Sequence, residues 1–132
     1  MNRYTALAEV LRERNGMPFE WGKNDCCSFA ADAVRAQTGR DAMAGLRGLY
    51  WDEGSAAHIL AAPGGLVRLV NTWLPGQPLP SVATARRGDL IMFDSGNGPA
   101  LGICVGDKFA AVKPGGLGYF AMRHAITAWR VE

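Results

Sequence analysis

The apolar residues of this chain change period at Pro80. Ahead of it they recur at three- and four-residue spacing, as on helices buried along one side. After it they gather in short runs rich in β-branched and aromatic residues, separated by turn-forming pairs, as in strands. Helices first and strands last is an α+β order, with N-terminal helices packed on a C-terminal antiparallel sheet; a parallel sheet requires strands and helices to alternate. With 132 residues, 48% of them hydrophobic and 20% charged, the chain is expected to form a single domain over 1–132 around one core.

Tyr4, Leu7, Ala8 and Leu11 fall on one stripe of a first helix, which Gly16 stops. Residues 17–23 include Pro18, Phe19, Trp21 and Gly22 and read as an extended connection that lays its rings onto the core. Asn24 or Asp25 is placed to cap a second helix carrying Cys26, Phe29, Ala30, Ala33 and Val34 at helical spacing, ended by Gly39. Rich in alanine and without a wide polar face, that helix is expected to be buried against a sheet. The middle of the chain is less regular, with short helical turns expected over 41–47 and 55–62 and a third helix carrying Leu66, Val67, Leu69, Val70 and Trp73 before Pro75. Five strands are expected at 90–93, 101–105, 108–112, 118–122 and 126–131, joined as a meander, with Gly106-Asp107 as a two-residue hairpin turn.

Charge and cysteine usage exclude several roles. Fourteen Lys and Arg against twelve Asp and Glu leave a formal charge of +2, too even for a protein that neutralises phosphates, so no nucleic acid partner is expected. No apolar run reaches the roughly 20 residues of a bilayer span, and the N-terminus lacks the uninterrupted apolar core of a secretory signal. A soluble protein made in the cytoplasm is the expectation. Three cysteines, two of them adjacent, do not make a disulfide framework. They also lack the spaced pairs of a structural zinc site, and the two histidines, His58 and His124, are scattered. Gly115-Gly116 lacks the strand and helix context of a phosphate loop. No cofactor or metal is therefore expected. Arg86-Arg87 reads as a solvated entrance to a strand, and Tyr50-Trp51 as a docking patch in an irregular segment.

Cys26 is the candidate site. At the first turn of a helix it meets backbone N–H groups that have no intrahelical partner, and the helix dipole favours its thiolate, so it is a candidate nucleophile. A cysteine hydrolase also needs a histidine to move the proton and a third group to orient that histidine. The alternative is that Cys26 is a small buried residue on an alanine-rich face.

The segment Phe19-Glu20-Trp21-Gly22-Lys23-Asn24-Asp25-Cys26-Cys27, the helix to Gly39 and the later Arg87-Gly88-Asp89-Leu90-Ile91-Met92-Phe93 resemble the two signatures of the NlpC-type, papain-like cell-wall cysteine peptidases. The whole pattern, including Leu46-Arg47-Gly48-Leu49-Tyr50 and Ala128-Trp129-Arg130-Val131, resembles short bacteriophage tail proteins encoded near the tail-tip genes that share this fold. The resemblance implies a papain-like, NlpC-like fold with Cys26 at the nucleophile position. It departs from the peptidases at one place. Where they have a histidine opening the second strand, this chain reads Ala100-Leu101-Gly102-Ile103-Cys104, so the general base is missing and its contribution of roughly 10²–10⁴-fold is forfeited.

What the resemblance implies is a structural component of a phage or prophage tail tip or baseplate. It would be located in the virion tail after assembly in the host cytoplasm, and its partners would be other tail-tip proteins. The alternative is an active cysteine peptidase that cleaves peptidoglycan stem peptides during DNA entry. That reading requires a relocated base, with His124, beside Arg123, as its candidate and His58 as another. A third reading, a free-standing bacterial binding module, sets the tail resemblance aside.

Overall fold

The structure, a computed structural model, describes residues 2–42, 44, 52, 54, 65–74, 78–96 and 98–132. Among the described residues the helices α1 (Arg3–Arg14), α2 (Cys26–Thr38) and α3 (Gly65–Trp73) precede five strands: β1 (Leu90–Asp94), β2 (Pro99–Cys104), β3 (Lys108–Lys113), β4 (Gly116–Ala121) and β5 (Ala125–Trp129). The α+β order and the antiparallel sheet are as the change of period implies. The turns expected over 41–47 and 55–62, with Tyr50, Trp51 and His58, lie wholly or largely outside the described residues.

The strands run in the order β4-β3-β2-β1-β5. The first four form the expected meander, but β5 crosses back to pair antiparallel with β1, with a register slip between Met92 and Phe93. Backbone periodicity does not encode this return. Asp89 fixes it instead: buried at the entrance to β1, it accepts hydrogen bonds from the Arg86 and Val131 backbone N–H groups and from Arg130 Nε at 3.0 Å. One carboxylate thus ties the C-terminal segment to the start of the sheet. The β2–β3 hairpin turns at Gly106-Asp107 as expected, with Gly106 at φ +125° and Val105 N–H donating to the Lys108 carbonyl.

Apolar residues alternate across the sheet. On one side Leu90, Met92, Leu101, Ile103, Leu117 and Trp129 join the buried faces of the three helices. On the other, Ile91, Phe93, Ala100, Phe109, Ala111 and Ala128 form a second cluster, partly covered by Leu79, Val82 and Ala85 from the segment that leads into β1. Trp129 is fully buried, and its Nε1–H finds Asn71 Oδ1 at 2.8 Å.

Two expectations need correction. On α1, Leu7 and Leu11 are buried, but Tyr4 and Ala8 are exposed. The inward face runs instead through Val10, Arg3 and Arg14, whose long side chains lie along the protein while their guanidinium groups reach Gln37, the Val131 carbonyl and Asp32. In the connection after α1, Trp21 is 37% exposed and stands edge-on to the half-buried Phe19 at 4.8 Å, so its ring does not lie on the core.

Candidate functional site

Cys26 is held by a loop that is hydrogen-bonded to itself at nearly every residue. Glu20 and Asn24 bridge their backbones in both directions, at 3.0 and 2.8 Å. The buried Asn24 side chain donates to the Met17 and Pro18 carbonyls and accepts from Arg14. Arg14 in turn pairs with Asp32 of α2, so α1, the loop and α2 form one connected unit.

Asp25 closes the loop. Its Oδ1 accepts from Ser28 N–H at 2.9 Å, Ser28 Oγ accepts from Asp25 N–H at 2.8 Å, and Oδ2 accepts from Gly22 N–H at 2.6 Å. This is a full capping box plus a third bond that holds Gly22 at φ +80°. It decides between the two cap candidates: Asp25 caps α2, and Asn24 braces the loop. Gly39 ends the helix at φ +75°.

Cys26 is therefore the first residue of α2, partly exposed, and it packs against both apolar clusters. Its Sγ lies 3.7 Å from Cys27 Sγ. β3 pairs with β2 only at Ile103 and Cys104, and the Leu101 backbone, outside that pairing, hydrogen-bonds the Cys26 sulfur. The hydrogen bond between the Cys27 and Cys26 sulfurs holds the Cys26 pKa below the ordinary thiol value; the Leu101 bond adds to this, while burial and the charge of Asp25 oppose it. Sequence reasoning singles out Cys26 but not the contact of its sulfur with that of Cys27. The adjacent pair was the available signal.

The groups acting on the Cys26 sulfur do not include His124. That residue is exposed at the end of a 3₁₀ turn (Met122–His124) leading into β5. Its neighbour Ala125 pairs with Phe93, which pairs with Ala100. His124 thus lies toward the same end of the sheet as Ala100 but two strands over, about 10 Å at ordinary strand spacing. Ala100 is 8% exposed and shares its cluster with Phe93 and Phe109, whose rings lie 4.8 Å apart and both pack on Phe120. Around Ala100 this face carries apolar carbon.

Cys104 lies elsewhere. It is buried in the second cluster, its thiol donates to the Gly106 carbonyl at 3.4 Å, and burial pushes its pKa up. Among the described residues no group of three or more His, Cys, Asp or Glu is arranged to hold a metal ion, and no helix is long and apolar enough to cross a membrane.

The capped loop, α2 and the five strands all lie within residues 2–131, which match a family described as Domain of unknown function (DUF6950). The chain belongs to DUF6950. No curated protein matches it. In this DUF6950 chain the match takes in every feature described above, from the Asn2 cap of α1 to Val131, whose N–H Asp89 binds.

Proposed function

We propose that this DUF6950 chain is a structural component of a bacteriophage or prophage tail tip, built on a degenerate NlpC-like, papain-like fold whose nucleophile position survives and whose base does not. The observation that carries the reading is the contrast between the two halves of the site. Cys26 sits at a fully capped helix start against β2, while Ala100, at the base position of the resemblance, lies in an apolar cluster. A thiol without a positioned histidine loses proton transfer into and out of the tetrahedral intermediate. The tail assignment rests on the sequence resemblance over the two signatures and the C-terminal segment.

The test is fractionation of virions from a phage carrying this gene, with the chain tagged and located by immunogold. The expected result is label at the tail tip and non-infectious particles on deletion. Label found only in free protein, with normal infection after deletion, overturns the assignment. The second reading, an active peptidase that cuts peptidoglycan stem peptides, is favoured by the place of the Cys26 sulfur at a helix start, 3.7 Å from the Cys27 sulfur, where the contact holds its pKa down. Turnover of stem peptides that is lost in both Cys26→Ala and His124→Ala would establish it.

A further inference from the structure

We propose that Cys26 and Cys27 together form a chelating dithiol site for a soft, trivalent thiophilic centre of the organoarsenical class. This inference is independent of the tail-tip reading. The two sulfurs are 3.7 Å apart on the first turn of α2, one partly exposed and the other buried behind it. Thiolate sulfur selects soft acceptors over hard ones. A ligand that requires three or four protein donors finds none arranged for it among the described residues. A centre that takes two sulfurs from the protein and keeps its own third substituent is matched to the pair, with that substituent directed out past Cys26.

The pair is better disposed to chelate than to close on itself. Consecutive Cα atoms across a trans peptide lie about 3.8 Å apart, below the usual disulfide range, which begins near 4.4 Å. Direct S–S closure therefore requires the first turn of α2 to unwind, against the reciprocal bonds of Asp25 and Ser28. Bridging through a third atom leaves that turn intact.

With an arylarsonous acid the reaction balances as a double substitution. Each sulfur forms one As–S bond, each displaces one hydroxyl from arsenic, and the two thiol protons leave with the hydroxyls as two waters. Arsenic stays trivalent and no electron is transferred. Cys104, buried on the second cluster and bonded to the Gly106 carbonyl, takes no part.

The probe is phenylarsine oxide, hydrated in water to the arylarsonous acid, added to the native full chain and followed by intact-mass measurement and circular dichroism. We expect one arsenical per chain, with the helical signal retained. The adduct should survive excess monothiol and be removed by a small dithiol, and it should persist in Cys104→Ala while disappearing in both Cys26→Ser and Cys27→Ser. An adduct that monothiol strips from the wild-type chain overturns the proposal, as does one that forms only with loss of the helical signal or persists in Cys27→Ser. If Cys27→Ser does not fold, the monothiol and dithiol competition on the wild-type chain still decides.

Discussion

At the scale of single residues, two thiols in one small domain are held in opposite protonation environments. Cys26 shares a hydrogen bond with Cys27 and another with the Leu101 backbone, and its pKa falls; Cys104 is enclosed by apolar side chains, and its pKa rises. The thiolate is the nucleophile, and at any given pH a lower pKa gives a larger thiolate fraction. The alkylation rate of Cys26 should therefore reach its plateau at lower pH than that of an ordinary thiol, while Cys104 labels slowly throughout and responds only at higher pH. Iodoacetamide labelling from pH 6 to 10 with peptide mass spectrometry measures both curves. Coincident curves for the two residues would mean that the Cys27 and Leu101 contacts do not act on Cys26 in solution. The sequence made Cys26 legible because an N-terminal helix position is a local property. It did not make Leu101 legible, since that contact depends on β3 leaving β2 unpaired ahead of Ile103.

At the scale of elements, α2 owes its start to a carboxylate that serves both sides of the boundary. Asp25 satisfies an N–H inside the helix, at Ser28, and another in the preceding turn, at Gly22. Loss of an ordinary cap costs about 1 kcal/mol. Here the Gly22 N–H loses its partner as well, but Gly22 is exposed and water can replace that bond, so Asp25→Ala should cost about 1–2 kcal/mol in urea unfolding. Ser28→Ala, which leaves both Asp25 bonds in place, should cost clearly less. Equal losses would show that the reciprocal bond, not the Gly22 contact, carries the stability. Asp25, Gly39 and Gly106-Asp107 could be read from the sequence because caps and hairpin turns are set by a few adjacent residues. The buried face of α1 could not. A period of 3.6 predicts which residues share a stripe, but Arg3 and Arg14 occupy inward positions through their methylenes and bond Gln37 and Asp32, partners remote in sequence. Trp21 was misplaced for a related reason, because the loop places its polar backbone inward to satisfy Asn24 and Asp25 and leaves the ring at the surface.

At the scale of the whole molecule, the sheet has two apolar faces, and the candidate site lies where they meet, since Cys26 packs against both. The helix-facing side is a core in the usual sense. The opposite side, which includes Ala100, is built around three phenylalanine rings and partly covered by the segment that leads into β1. A catalytic imidazole at Ala100 would need space and a polar partner to orient it, and the residues that share its cluster are apolar or thiol. Ala100→His should therefore act as an overpacking substitution, lowering the urea midpoint by an amount corresponding to about 1–3 kcal/mol, and should not create hydrolysis of stem peptides. Ala100→Ser, which adds a single oxygen rather than a ring, should lose less. Both are measured on the same protein, by unfolding and by release of free amines from synthetic stem peptides. Cys26-dependent hydrolysis in Ala100→His with undiminished stability would show that this face is an open cleft, and the argument that it is a packed apolar face would fail.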